Sequence, residues 1–371
     1  MEINYNIISI IDIFGCLQGI ILGSLLLYTN RKENKSTLFL GLFVLTYAYS
    51  FIPIILEDMN LISQMPQLEV LPRPGEWLLA SLFFVYIQKI SIFSNRKIAY
   101  WCLYPGLLAL LFQVVVFFLP LSTKMQWVNS NWYSPFFLVA LIYSTGILLY
   151  MWRFIQEHSK EVVNQYTLVE HKELRWVKRF VFFGFVLFLL HFIRYFTEDS
   201  MGYRILYASY NVFMLYWASI HGILQRNIVS AIPEEKSMAP TKIQNLRSNP
   251  IDSIPISELK KLVKQIDAYV EGSKVFEDKN LTIMGLADAL KLHPRKISNA
   301  INQVYHENFN AYINRYRVGR AEQMLIDKNS ANLSIEGIGT EVGFNSKSAF
   351  YNAFKKETGV TPKTYKTTIP N

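Results

Sequence analysis

The chain has 371 residues, of which 51% are hydrophobic, 15% aromatic and only 18% charged, and its formal net charge is +9. At roughly 100–200 residues per domain the length predicts two or three domains, and the composition excludes a disordered chain and disfavours one ordinary soluble domain, whose charged share is typically about 25%. The two cysteines, Cys16 and Cys102, lie in apolar runs and exclude a disulfide scaffold or a Cys-rich zinc site.

Charge is unevenly spread. Residues 1–240 hold 18 Lys+Arg and 15 Asp+Glu, whereas the 131 residues that follow hold 19 and 13. The first part is suited to lipid, and the second, with a net charge of +6, to water. The first basic residue, Arg31, follows the first apolar run, so a cleavable leader is not expected.

Seven apolar stretches approach the length needed to cross a ~30 Å hydrocarbon core. They fall at about 7–28, 38–56, 77–93, 100–120, 135–152, 180–196 and 205–224. Two are short, because Lys89 and Arg194 interrupt them; each spans only if Lys89 snorkels and Arg194 faces the bundle interior. With the N-terminus outside, the inner loops and span ends carry twelve Lys and Arg against four on the outer side, as the positive-inside rule requires. An odd number of spans leaves the C-terminus in the cytoplasm, and removing both short ones preserves that parity. The expectation is an all-α chain: a seven-span transmembrane helical bundle (1–225) in the inner membrane, followed by a cytoplasmic double helix-turn-helix domain.

Polar groups inside spans mark function by default, since burying them in lipid is costly. Asp12, Gln18, Glu76, Gln113, His191, Arg194 and Asn211 fall in the outer half or middle of the spans and are the candidate ligand pocket, for a small-molecule or protein signal. The alternative is that they pair with one another, bind helices together or sit at headgroup depth.

Residues 226–256, with Pro233, Pro240, Pro250 and Pro255, read as a tether. Ser257 then caps a predicted helix over 257–273 whose stripe is Leu259, Leu262, Val263, Ile266, Tyr269 and Val270. The stripe either packs on its own domain or forms a short dimer seam or signalling lever.

The rest, 274–371, contains an internal repeat. Ile283, Leu286, Ala287 and Leu290 mark one helix face; Lys291-Leu292 turns; His293 caps a second helix with Pro294 at its first position. Ile297, Ala300 and Ile301 face inward. Fifty-two residues on, Ile335, Ile338, Gly339 and Val342 repeat the first face, Gly343-Phe344 the turn, and Ser346 the cap, before Phe350, Ala353 and Phe354. Each unit is a helix, a short turn and a second helix that can enter a DNA major groove. Between them a rod-like helix carries Arg315, Arg317 and Arg320.

Residues 281–366 resemble the DNA-binding domain of the AraC/XylS family of bacterial transcription regulators. The motif runs from Ile335 through Gly343, Phe344, Ser346, Phe350, Phe354, Lys355, Gly359, Thr361 and Pro362 to Tyr365, and Arg317 with Ala321 matches the linking helix. Two positions depart from the family: Gly339 where Ala is usual, and His293-Pro294 where Ser usually caps. The resemblance implies that one chain sets two recognition helices in successive segments of double-stranded DNA. Carried onto this sequence, the base-facing positions are Arg295, Lys296, Ser298 and Asn299, then Lys347, Ser348, Tyr351 and Asn352. Arg and Lys bond guanine and Asn pairs with adenine. Lys355, Lys356 and Arg317 are assigned to phosphate, with a structural role for Arg317 as the alternative.

The expected function is thus a membrane-anchored, sequence-specific transcription regulator that couples a membrane signal to gene expression. No enzyme motif is present: no phosphate-binding glycine loop, no HExxH and no nucleophile elbow. Neither cofactor nor metal is implied. The partners are DNA, the lipid bilayer and the signal; a homodimer stays open, because two reading heads in one chain remove the usual need for symmetry. The competing class is a transporter or membrane receptor whose helical tail binds a protein partner.

Overall fold

The computed structural model describes residues 5–28, 36–94, 96–167, 174–193, 200–231, 255–327, 330 and 332–368, and every named element among them is helical. The chain divides into two units, Met1–Gln156 with Leu174–Pro233, and Glu157–Glu173 with Glu234–Asn371.

The first unit is built from α1 (Ile7–Tyr28), α2 (Ser36–Asp58), α3 (Leu61–Gln64), α4 (Gly75–Ile90), α5 (Tyr104–Phe117), α6 (Leu121–Val128), most of α7 (Tyr133–Gln165), α8 (Arg175–Ile193) and α9 (Met201–Ala231). Four stretches, Ile7–Tyr28, Thr37–Asp58, Tyr100–Phe117 and Tyr133–Gln165, are long and apolar enough to cross a membrane. The expected spans at 77–93, 180–196 and 205–224 fall on α4, α8 and α9, which are not in that set among the described residues. Two boundaries differ from expectation. Helix α7 continues through Arg153 and Lys160, which the sequence assigned to a loop, because its i to i−4 ladder meets no Pro or Gly there. Helix α9 likewise runs to Ala231, so 226–231 are helical and not tether; of the expected tether, 232–254 lie outside the described residues.

Close approach of α1 to its neighbours depends on Gly15, Gly19 and Gly23, one turn apart on one face. A Cβ on Gly15 would meet Val212 of α9 at 2.7 Å, on Gly19 it would meet Ala48 of α2 at 2.6 Å, and on Gly23 Leu45 at 2.7 Å. Small residues at this spacing let helix backbones pack by van der Waals contact. Aromatic rings fill the centre: Phe83 lies 5.0 Å from Phe43 and 4.5 Å from Phe180. The other face of α1 exposes Phe14, Leu17, Ile21 and Leu25, and α5 exposes Leu107, Leu108, Leu111 and Val115. Apolar rows of this extent are uncommon on water-facing helices.

The second unit comprises α10 (Ile256–Ser273), a 3-10 turn (Val275–Glu277), α11 (Ile283–Leu290), α12 (Pro294–Tyr305), α13 (Phe309–Ile326), α14 (Ile335–Glu341), α15 (Lys347–Thr358) and α16 (Pro362–Thr368). Helix α10 starts one residue before Ser257, with Pro255 at the cap position, so Ser257 is not its cap. Its stripe Leu259, Leu262, Val263, Ile266 and Val270 is buried with Ile283, Leu286, Ile297, Ile301 and Phe309, within its own unit. A second core holds Val318, Ala321, Leu325, Ile338, Val342, Phe344, Phe350 and Phe354. Helix α13 therefore serves two cores, one with each end.

The last turns of α7 belong to the second unit. Just beyond them, Tyr166 forms an antiparallel bridge with Thr282. The Thr167 hydroxyl donates to the Leu281 carbonyl at 2.8 Å, and Asn310 Nδ2 donates to the Thr167 carbonyl at 2.7 Å.

Helix α10 is tied down by Asp267, whose carboxylate accepts from the hydroxyls of Tyr305 at 2.6 Å, Tyr312 at 2.7 Å and Tyr316 at 2.8 Å. Burial, reinforced by the neighbouring Tyr316 and this carboxylate, holds the Tyr312 phenol well above its ordinary range. It stays a donor at every physiological pH. Replacing Asp267 with Ala strands three phenols, and hydrogen bonds to charged groups contribute about 1.5–3 kcal/mol each before relaxation. We expect Asp267→Ala to lower the unfolding free energy of this unit by about 3 kcal/mol, measured by urea titration against a Lys260→Ala control.

Candidate nucleic-acid interface

The two helix-turn-helix units are built alike, bond by bond. In the first, Thr282 caps α11 by accepting from Gly285 N at 3.1 Å, Lys291 takes a left-handed φ of 53°, and Leu292 N bonds Ala287 O at 2.9 Å. His293 Nδ1 then accepts from Arg295 N at 3.2 Å and Pro294 opens α12. In the second, Ser334 caps α14 through Gly337 N at 2.9 Å, Gly343 takes a φ of 99°, and Phe344 N bonds Gly339 O at 2.9 Å. Ser346 Oγ accepts from Ala349 N at 3.1 Å to start α15.

The departure at Gly339 has a steric cause. A Cβ there would lie 2.6 Å from the Phe350 ring. The first unit has Ile297 at the matching place and tolerates Ala287, which is fully buried. Glycine's propensity loss of about 1 kcal/mol is set against room for an aromatic ring.

On α12, Arg295 and Lys296 are exposed, and Ser298 and Asn299 half-buried. On α15, Lys347, Ser348, Asn352, Lys355 and Lys356 are exposed, and Tyr351 half-buried. The assigned base-facing residues are thus solvent-accessible on both second helices. Lys347 Nζ lies 2.7 Å from Glu336 Oε1 and 5.4 Å from the centre of the Tyr351 ring. Hydrogen bonding from Lys347 draws the Glu336 carboxyl below its usual range, and Glu336 in turn raises Lys347. Sequence inspection missed Glu336, a carboxylate one helix away that competes with any base or phosphate for Lys347.

Arg317 corrects the expectation. It is 2% exposed, too deeply buried to meet a phosphate. Its Nε donates to Phe276 O at 2.6 Å and its Nη2 to Asp278 O at 2.7 Å, and its guanidinium sits 5.6 Å from the Phe344 ring centre. Burial pushes its pKa down to about 10, against the opposing pull of Asp278. Gly343 completes the arrangement. A Cβ there would lie 2.8 Å from the carbonyls of Phe276 and Glu277 and 2.9 Å from Arg317 Nε. Arg317 thus joins the turn before α11 to the turn before α15.

Of the seven polar residues expected to form a pocket, the five whose side chains are described do not converge. Asp12 lines a cavity of about 380 Å³ at the ends of α1, α2 and α9, together with Asp58, Tyr203, Arg204 and Tyr207. Gln113 is elsewhere, accepting from Arg73 N at 2.6 Å. Asn211 accepts from Tyr47 at 3.0 Å and donates to Tyr207 O at 2.9 Å, so it joins helices α2 and α9. Gln18 is half-buried and Glu76 exposed, and neither lines the cavity. The His191 side chain and all of Arg194 lie outside the described residues.

Residues 286–368 match the family model described as a helix-turn-helix domain. Over 109 residues the chain is 31% identical to the HTH-type transcriptional regulator AlkR of Acinetobacter baylyi, covering 29% of this chain and 32% of AlkR. It is 29% identical over 113 residues to the regulatory protein PocR of Salmonella typhimurium, covering 30% of this chain and 34% of PocR. The C-terminal domain of AraT, a response regulator from Geobacillus stearothermophilus, aligns with a TM-score of 0.26 at 28% identity, covering 32% of this chain and 88% of that one. The chain spans about a third of the length of the curated relatives it matches. The C-terminal segment is an AraC-type helix-turn-helix domain.

Two outcomes follow from the geometry. Arg317→Met leaves the Phe276 carbonyl without its guanidinium donor, while the Asp278 carbonyl keeps Leu281 N at 3.3 Å; at about 1–3 kcal/mol for the unsatisfied group it should cost about 2 kcal/mol of stability, and Lys355→Ala should leave the urea midpoint unchanged. Glu336→Gln frees Lys347 and removes a negative charge beside the α15 terminus. It should raise affinity for duplex DNA several-fold at low salt, with the gain fading as salt screens it, as read by fluorescence anisotropy.

Proposed function

We propose that this chain is a membrane-anchored, sequence-specific DNA-binding transcription regulator. The observation that carries the proposal is one polypeptide with two kinds of surface. Helices α1 and α5 turn rows of large apolar side chains outward, and a helix-turn-helix domain of AraC type turns lysine and arginine outward on α12 and α15. The first surface suits lipid, where exposed apolar area costs nothing; the second suits a polyanion.

In this proposal seven helices cross the inner membrane, with α4, α8 and α9 joining the four stretches that are long and apolar enough to do so. The N-terminus is outside and the DNA-binding domain cytoplasmic, which the twelve-to-four distribution of basic residues supports. Helices α12 and α15 enter successive major-groove segments. Arg295, Lys296, Ser298, Asn299, Lys347, Ser348, Tyr351 and Asn352 face bases, while Lys355 and Lys356 meet phosphate. Coupling of a membrane signal to DNA is supported by α7, an unbroken helix contributing to both units. The segment after it bonds Leu281 and Asn310, next to the Thr282 cap of the first helix-turn-helix.

The test is DNA binding by the full chain in lipid nanodiscs. Affinity should fall with salt with a log–log slope near −0.9 per phosphate neutralised. Lys347→Ala should relax base preference at a mapped site, while Lys355→Ala should weaken binding about equally on all sequences. Salt-independent binding, or no change of preference with either variant, contradicts the proposal.

A further inference from the structure

At the N-terminal ends of α14 and α15 three side chains touch one another. Lys347 Nζ lies 2.7 Å from Glu336 Oε1, the Tyr351 hydroxyl reaches the same oxygen at 3.5 Å, and Lys347 Nζ sits 5.4 Å from the Tyr351 ring centre. The Tyr351 ring rests on the second core, edge-on to Phe350 at 5.8 Å. Two long side chains on a surface normally gain little from pairing, because holding both still costs entropy. Here a half-buried ring steadies the ammonium. The pair still faces solvent, with the Lys347 side chain 63% and the Glu336 side chain 45% exposed. The fold does not demand it. In the first helix-turn-helix the place of Glu336 is taken by Met284, which is itself exposed.

We propose that Glu336 and Lys347 together read one G·C base pair, Lys347 on the guanine and Glu336 on the cytosine of the opposite strand. This rests on the proposed entry of α15 into the major groove and names what the second reading head recognises there. Charge decides between base and backbone. Bonded to each other, the two groups carry no net charge, so a phosphate attracted by Lys347 is repelled by the adjacent Glu336. A base edge is neutral and meets no such opposition. Pattern decides between bases. In the major groove a G·C pair sets the guanine N7 and O6 acceptors beside the cytosine N4 donor, and lysine on guanine with glutamate on cytosine are the pairings that match. An A·T pair sets the thymine methyl beside its O4 acceptor, so an apolar group would face the charges. Both side chains have capacity left. The ammonium has more donors than Glu336 takes. A carboxylate has about four acceptor sites, of which Lys347, Tyr351 and the Glu336 backbone amide occupy three.

The experiment selects sites from a random duplex pool with the full chain in lipid nanodiscs, then measures affinity on the selected duplex and its single-pair variants. At the pair whose preference Lys347→Ala relaxes, the unaltered protein should select G·C. Glu336→Ala should cut that preference about tenfold, the loss of one base contact, while binding every duplex more tightly at low salt. Glu336→Gln, which keeps an acceptor oxygen, should retain more of the preference than Glu336→Ala. A second readout changes the DNA and leaves the protein alone. N4-methylcytosine keeps its base pairing but carries a methyl group where the major-groove N4 proton stood. It should weaken binding of the unaltered protein at least about fivefold and leave Glu336→Ala unaffected, a difference that a merely structural role for Glu336 would not produce. Unchanged preference in Glu336→Ala, equal sensitivity of the two proteins to N4-methylcytosine, or selection of A·T at that pair overturns the inference and leaves the DNA-binding reading standing. Failure of the chain to select any sequence retires both.

Discussion

A single buried guanidinium governs the geometry of the helix-turn-helix half. Arg317 reaches from the middle of α13 to the carbonyls of Phe276 and Asp278, and its flat face lies near the Phe344 ring. Those three residues belong to the approaches of the two helix-turn-helix units. A charge buried this deeply is tolerable only when its donors are satisfied, so the backbone around it has little freedom. Gly343, at a φ that other residues rarely adopt, leaves space for that contact. Lysine could not replace this arginine, because the forked donors reach two carbonyls at once.

The apolar half follows a different rule. Beside a buried apolar core, large side chains face outward on α1 and α5. Close packing is supplied by glycine on α1 and by isolated polar links such as Tyr47 to Asn211 and Trp176 to Gln225. Both devices are those expected where hydrocarbon, not water, is the competing solvent.

The local grammar of the helix-turn-helix half was legible in the sequence. The repeat of helix faces, the His293 and Ser346 caps and the glycine turn were visible because each depends on residues within a few positions. Arg317 was legible only as one of two readings, phosphate contact or structural partner, because its neighbours on α13, Arg315 and Arg320, make it look like one of a solvated set. Its burial is decided by carbonyls that lie far away in the chain. Glu336 escaped for the same reason, since it meets Lys347 across a turn. In the apolar half, depth along a span could be inferred from hydropathy, but not the angle around the helix. Asp12 was therefore grouped with Gln113 and Asn211, while Asp58, Arg204, Tyr203 and Tyr207 were not among the candidates.

The division of the C-terminal half into two cores has a mechanical consequence. The core with α10, α11 and α12 buries sixteen apolar residues, and the one with α14 and α15 buries eight, among the described residues. Both draw on α13, so the smaller one leans on a helix that the larger one has already anchored. In a duplex complex of the proposed kind, the sturdier helix-turn-helix would seat first and the softer one close afterwards, so that search speed and residence time would be set by different parts of the same chain.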